Sequence, residues 1–505
     1  MHSTRSGTLR ALSRLHSTSC ARPAAVLNSA PTSPSPPPPA APSPLRDPPL
    51  KPQPFIPRPL SRSYQLESLS TAPHDPASSI TLRFVSPSDP RSAPRTLSLP
   101  NLFLRDASVH PDHVHPSSNQ KLFRTTDVPV EGKLVGYGVH DIPGKGDCLV
   151  TEWSTPLQGA PVKSAKLSVV PLDVLVALTK GDRSLEGKLP SARVWDRPRL
   201  DQTLVRTPYD QFMSSDSALF DTLDGLVKDG IVFLTGVPTS PREGHHTELR
   251  KAVERIGSLR RTWYGDLWDV KAEEASKNIA YTNLDLGLHM DLTHFANPPR
   301  YQFLHSLLNT SIMGGSSYFV DAYALAAHLH AHHPSHFTTL CTEPVQFEYK
   351  NGPHWTRFAR PTFELEPGST SQLRAVNYSP PFQGRLPLER FARGRDASVS
   401  DDAGRLHELH EALAAFAALA DDADGTWRWT HQLEPGECVV FDNRRVLHAR
   451  TAFEFVDAAQ DQDGGKEERG RWLKGAYMDG EEVWSRWRVL EEIRRGKGRG
   501  RTLFK

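Results

Sequence analysis

Fifteen of the chain's 44 prolines fall within its first 60 residues. Proline donates no backbone hydrogen bond and fixes its own φ, so this stretch is not the material of a packed core. Residues 1–46 contain no Asp or Glu, and Arg5, Arg10, Arg14, Arg22 and Arg46 stand among many Ser, Thr and Ala. An Arg-rich, Ser-rich, acid-free composition is that of an organellar transit peptide. Leu9, Leu12 and Leu15 would share one helical face with Arg10 and Arg14 flanking it. The continuous apolar run of a secretory signal is missing. Residues 1–30 are therefore expected to be a mitochondrial transit peptide leading to the matrix, with an ordinary disordered tail as the alternative. Residues 31–77 are expected to be a Pro-rich extended linker.

The rest of the chain can bury one large core or two moderate ones. Of all residues 37% are apolar and 23% charged, with ten tryptophans, which fits a globular body. No run approaches the roughly 18 apolar residues of a membrane span. Sixty basic residues against 58 acidic ones argue against a nucleic-acid binder. Cys20, Cys148, Cys341 and Cys438 are too scattered for a disulfide framework or a CxxC zinc site, and a reducing compartment fits. Residues 78–178 hold β-like runs (SITLRFV, RTLSLPNLFLRD, KLVGYGV, AKLSVVPLDVL) separated by turn clusters, which predicts a small β-rich domain. Residues 176–205 read as a polar connector. The segment SDSALFDTLDGLVKDG predicts a helix stopping at Gly230, followed by a strand in IVFLTGV and a helix in TELRKAVERIG. Short strands alternate with loops from Tyr264 onward, interrupted by helices near VDAYALAAHLHAHHP and LHELHEALAAFAAL. Residues 493–505 form a basic, Gly-rich tail expected to be disordered.

The segment GLHMDLTHFANPPRYQFLHSLL carries His289 and Asp291 two residues apart. In extended backbone such residues project to one side. His448 follows 157 residues after Asp291, in GECVVFDNRRVLHAR, which reads as two core strands around a polar bend. Two imidazoles and a carboxylate can occupy one face of an octahedral Fe(II) and leave the other positions open. In a chain with 22 histidines, spacing alone leaves a satisfied core or surface histidine as the commoner reading.

The blocks NIAYTNLDLGLHMD, PPRYQFLHSL, GGSSYFVDAY, VVFDNRRVLHAR and RWLKGAYMDGEEVWSRWRVL change that balance. They resemble the gamma-butyrobetaine and trimethyllysine dioxygenases, TauD/TfdA-like Fe(II)/2-oxoglutarate oxygenases, in a fungal-type mitochondrial form. The resemblance implies a mainly β fold with flanking helices. A double-stranded β-helix (jelly-roll) catalytic domain would span 206–492, beside a small N-terminal β-rich accessory domain over 78–178. It implies that His289, Asp291 and His448 ligate iron and that 2-oxoglutarate and O₂ are co-substrates, with ascorbate as reductant. An Arg after the distal His would take the far carboxylate of 2-oxoglutarate. The block RWLKGAY points to Arg471, with Arg469 and Arg450 as competitors, behind an acidic, Gly-containing insertion (DAAQDQDGGKEERG). Leu304 falls where the family lines that pocket. An aromatic cage for a trimethylammonium group maps onto Tyr264, Trp268, Tyr281 and Tyr477, and Asn278 matches an asparagine typical of butyrobetaine hydroxylases.

Two departures matter. Leu292 stands where butyrobetaine hydroxylases have tyrosine, and Ser379 and Pro380 where they have asparagines near the substrate carboxylate. The expected substrate is thus a small betaine-like acid in or near carnitine biosynthesis. A different small acid or amino acid, trimethyllysine included, is the alternative. A non-catalytic mitochondrial protein retaining the fold is the reading from another class. A homodimer is implied by the resemblance alone. Where relatives bind structural zinc through cysteines, this chain has Ser108, His110 and His113, with Lys163 in place of a later histidine. His115 is also near, and a domain that folds without zinc is expected. His328 and His332 are four apart on a candidate helix and read as a solvated helix end rather than a chelate.

Overall fold

The computed structural model describes residues 65–494, apart from 72–78, 88, 144, 159–163, 180–188, 245, 272–285, 311, 387–398, 423–424 and 456–469. Its N-terminal part pairs Gln65–Thr71, Ser79–Val85 and Arg95–Pro100 into one antiparallel sheet and Leu134–Ile142, Gly146–Trp153 and Leu167–Pro171 into another. Leu66, Ile80, Leu82, Phe84, Leu149 and Trp153 meet between them, with Leu104 and Leu175 from the helices Asn101–Asp106 and Leu172–Thr179. The strand Gln65–Thr71 corrects the linker expected to run to residue 77. Leu66 is fully buried and Leu69 packs against the same core, so this short apolar signal is enough to add a strand.

Two sheets face each other in the larger part. One has the strand order Val205–Pro208, Ile231–Thr235, Cys438–Asp442, Tyr301–Thr310, Gly470–Met478, Leu267–Lys271. The other runs Leu286–His289, Val446–Arg450, Ser317–Asp321, Trp429–His431. The inner faces meet through Ile231, Phe233, Leu304, Val439, Phe441 and Leu473 against Phe319, Trp429 and Val446. The alternate residues point outward, as strand geometry requires. Val232, Leu234, Phe303, Val440, Ala476 and Met478 lie under the helices Tyr209–Ser214, Asp216–Asp229, Glu248–Ile256 and Gly480–Arg494. Leu288, Val320, Leu447 and Ala449 lie under Ala322–His332, Pro334–Thr342 and Val399–Asp421. This is the jelly-roll oxygenase fold, two sheets between helical layers.

Local signals explain the elements. Ser215 caps Asp216–Asp229 by accepting the Ala218 amide, and Gly230 ends it with φ 76°, a left-handed turn that glycine adopts without steric cost. The connector expected over 176–205 is corrected. The helix Arg197–Thr203 starts behind an Asp196 cap, and Trp195 is 1% exposed, its indole N–H donating to the Asp229 carbonyl at 2.7 Å. Val205–Pro208 then pairs in parallel with Ile231–Thr235. The segment is polar in composition, but two residues, Trp195 and Leu200, anchor it in the inner core.

Candidate metal centre

The strand Leu286–His289 pairs antiparallel with Val446–Arg450 so that His289 stands opposite His448. On Val446–Arg450, Val446 and His448 face inward while Leu447 and Ala449 face the outer helices. The register therefore aims both imidazoles into the space between the sheets, their centroids 4.2 Å apart. Asp291 follows at the first turn beyond the strand. Its Oδ1 is 3.4 Å from His289 Nε2 and its Oδ2 is 3.9 Å from His448 Nε2. One ligand atom from each of the three residues lies within 4.8 Å of the others. Among the described residues, this is the group of histidines and carboxylates placed to hold a metal ion.

Hydrogen bonds fix each group. His289 Nδ1 donates to the Gly287 carbonyl at 2.8 Å, which leaves the Nε2 lone pair directed toward Asp291. The Tyr477 hydroxyl donates to Asp291 Oδ2 at 2.7 Å. Burial works to raise the Asp291 carboxyl. The neighbouring His289 and His448 side chains and the Tyr477 hydroxyl outweigh it and hold the group below the ordinary carboxylate range. Burial, reinforced by neighbouring His289, pushes His448 down to about 3. Asp291 is thus ionised and His448 neutral near pH 7, the protonation states that metal ligation needs. Two imidazoles and one carboxylate fit Fe(II) by donor type and number.

The strand Gly470–Met478 turns Arg471, Leu473, Gly475 and Tyr477 toward the interior, as its outward residues Ala476 and Met478 show. Arg471 is 7% exposed and has no ion pair among the described residues. Burial first, and Arg450 second, lower its guanidinium to about 9. Arg450 lies on the His448 strand with its Cζ 4.9 Å from the Phe453 ring centre. Leu304 is buried in the inner core, paired across the sheet with Val439 and Gly475. Trp268 stands opposite Gly475 and stacks on Tyr477 at 5.2 Å and 28°. A Cβ on Gly475 would lie 2.3 Å from Trp268 Cζ2, so glycine is what lets this indole lie flat there. Tyr264 is within electrostatic range of Asp291 and shares a hydrogen bond with Tyr349; burial first, then these neighbours, raise its phenol. Asn278, Tyr281 and Arg469 lie outside the described residues.

Several features were not signalled by motif. Trp263 stacks on His354 at 4.6 Å and on Tyr349 at 5.5 Å, beside Tyr264, forming an aromatic wall. Gly475 and Asn443 were also unmarked, although both sit within the RWLKGAY and VVFDNRRVLHAR blocks. Leu292 is buried at φ 57°, a left-handed conformation rare for a branched side chain.

The N-terminal histidines form a different kind of group. His113 Nε2 faces the Ser164 carbonyl at 3.0 Å and must carry the hydrogen. Its Nδ1 then accepts from the Ser108 hydroxyl at 2.9 Å, and that hydroxyl oxygen accepts the Val169 amide at 3.0 Å. His110 Nδ1 accepts the Asp112 amide at 3.1 Å. Both His113 nitrogens are thus engaged by protein groups. His115 is exposed and its Nδ1 is shared with Ser117 and Ser118, and Lys163 lies outside the described residues. His328 and His332 lie on Ala322–His332 with ring centroids 4.4 Å apart and planes tilted by 43°. No helix of the described residues is long and apolar enough to cross a membrane.

Residues 197–477, more than half of the chain, match the family described as taurine catabolism dioxygenase TauD, TfdA family. The chain belongs to this family of Fe(II)- and 2-oxoglutarate-dependent dioxygenases. It is 35% identical to Dioxygenase str8 of Strobilurus tenacellus over 77% of this chain and 84% of that protein. It is 30% identical to the gamma-butyrobetaine dioxygenase of Pseudomonas sp. (strain AK-1), over 77% of this chain and 90% of that one. With the mitochondrial trimethyllysine dioxygenase of Bos taurus it shares 27% identity over 52% of this chain and 58% of that protein.

Proposed function

We propose that this dioxygenase hydroxylates a small trimethylammonium or betaine acid resembling gamma-butyrobetaine, in or near carnitine biosynthesis, in the mitochondrial matrix. The observation that carries the reading is the stacked pair Trp268–Tyr477, with the Tyr477 hydroxyl on Asp291. A quaternary ammonium has no N–H to donate, so only ring faces and distant charge can hold it. The Tyr477 hydroxyl donates to Asp291, so what this residue would offer a substrate is aromatic surface. Tyr264 adds a third aromatic wall, and Asn278 and Tyr281 are assigned to the same pocket on sequence alone.

His289, Asp291 and His448 would hold the iron. Bound there, Fe(II) with 2-oxoglutarate and O₂ supplies C–H hydroxylation, giving succinate and CO₂ as co-products, with ascorbate as reductant. Arg471 receives the far carboxylate of 2-oxoglutarate, since a buried guanidinium without an ion-pair partner among the described residues is matched to a bidentate anion. Leu304 is assigned to the lining of the co-substrate pocket on the resemblance. The inner core of Phe319, Phe441 and Leu473 excludes water from it.

Incubating the protein with Fe(II), ascorbate, 2-oxoglutarate and a panel of betaines and amino acids tests the reading. Succinate release stimulated by a trimethylammonium acid is the expected result; none across the panel would overturn it. A fusion of residues 1–30 to a fluorescent protein is expected to reach mitochondria. Leu292, Ser379 and Pro380 favour a second reading, the same chemistry on a different small acid. Leu292→Tyr separates the two, because gamma-butyrobetaine turnover rises only if the departure at that position alone distinguishes the pockets.

A further inference from the structure

We propose that Asn443 is a positioning residue for the metal-binding carboxylate, locking the turn that bears Asp291 to the bend that leads into the His448 strand. The inference rests on the assignment of His289, Asp291 and His448 as metal ligands. Asn443 is 0% exposed and lies in the bend between Cys438–Asp442 and Val446–Arg450. Its Oδ1 accepts the Asp291 amide at 2.7 Å, and its Nδ2 donates to the Asp291 carbonyl at 3.0 Å and the Pro299 carbonyl at 3.2 Å. Its own amide donates to the Arg300 carbonyl at 2.7 Å. Next to it, Asp442 Oδ2 accepts from Arg300 Nε at 3.0 Å and from a terminal nitrogen of the same guanidinium at 2.8 Å. The two ligand-bearing segments are 152 positions apart at this contact, and no strand pairing joins them at Asp291 itself.

The chemistry selects an amide. Only a planar group with both a donor and an acceptor can complement the N–H and C=O of one residue. An aspartate offers no donor and an alanine offers neither. The bracket matters because the next residue, Leu292, sits at φ 57° and would relax toward the common regions if released. That relaxation would rotate the Asp291 side chain, while Tyr477 holds only one carboxylate oxygen. Backbone clamping of Asp291 by Asn443 therefore sets the direction from which the carboxylate meets the metal. Groups around a metal's ligands typically alter affinity about 10- to 100-fold when removed.

The test is anaerobic titration of the full chain with Fe(II), together with the visible spectrum of its Co(II) form and circular dichroism. Asn443→Ala is expected to fold and to weaken Fe(II) binding about 10- to 100-fold, with an altered Co(II) spectrum. Asn443→Asp, which keeps the acceptor, is expected to fall between it and the wild type. Asn101→Ala strips a bond from another buried amide, in the N-terminal β part, and is expected to leave the metal affinity alone. If Asn443→Ala folds and binds Fe(II) as the wild type does, while His289→Ala does not bind, the proposal is overturned and the metal site stands. If Asn443→Ala yields no folded protein, Asn443→Asp decides by the same comparison. A wild type that binds no Fe(II) overturns both.

Discussion

Arg471 carries a charge into the protein interior, where an uncompensated ion is costly until an anion joins it. Arg471→Met is expected to raise the melting temperature of the substrate-free protein, because a buried charge is replaced by a side chain of similar length. The same change should raise the KM for 2-oxoglutarate about 30- to 150-fold, from the roughly 2–3 kcal/mol of a charged hydrogen-bonded contact. Arg471→Lys keeps the charge and loses the fork, so its KM should fall between the two. Thermal shift with and without 2-oxoglutarate, and initial rates, check all three. An unchanged KM in the Met variant would assign the co-substrate to another cation. At this scale the sequence showed which residues were candidates but not their burial. RWLKGAY named Arg471 among three arginines; only the alternation of Gly470–Met478 turns it inward with Tyr477. DNRR looks like a solvated bend, yet Arg444, Arg445 and Asn443 are all buried, Arg445 paired with Asp321 at 2.8 Å.

The strand Gly470–Met478 links the two ends of the proposed pocket, with Arg471 at one end and Tyr477 at the other. Gly475→Ala tests that geometry within one element. The added methyl would meet the Trp268 ring at 2.3 Å, so the indole must leave its place on Tyr477. Overpacking of this kind costs about 1–3 kcal/mol. The KM for the proposed trimethylammonium substrate is expected to rise while the KM for 2-oxoglutarate stays near wild type, since Arg471 is four residues away. A rise in both would mean the strand itself has shifted. Element by element, legibility followed burial pattern. CVVF and IVFLTGV announced central strands because both faces are covered, one by the opposing sheet and one by helices. Gln65–Thr71 and Val205–Pro208 gave no such signal, because their composition is largely polar and their pairing partners are supplied by other segments.

Across the whole molecule, buried neutral imidazoles tie stability to pH in both parts. Burial pushes His113 in the N-terminal part down to about 4, and burial does the same to His305, between Val237 and Lys474 in the larger part, also to about 4. The unfolded chain takes up these protons as pH falls below about 6.5. The folded chain resists until about 4. The contribution is therefore complete above pH 6.5 and is lost as pH drops toward 4, at about 1.4 kcal/mol per pH unit for each imidazole. His113→Gln keeps an amide able to donate to the Ser164 carbonyl and accept from Ser108, but it cannot take up a proton. Its stability at pH 7.5 should be somewhat lower than wild type and should fall less steeply between pH 6.5 and 5, when followed by urea denaturation. His305→Gln should flatten the profile in the same way, and the two effects should add because the residues lie in separate cores. If the double variant keeps the wild-type slope, acid sensitivity arises from other groups, and the hydrogen-bonded His113 is then not a neutral pillar of the N-terminal β part.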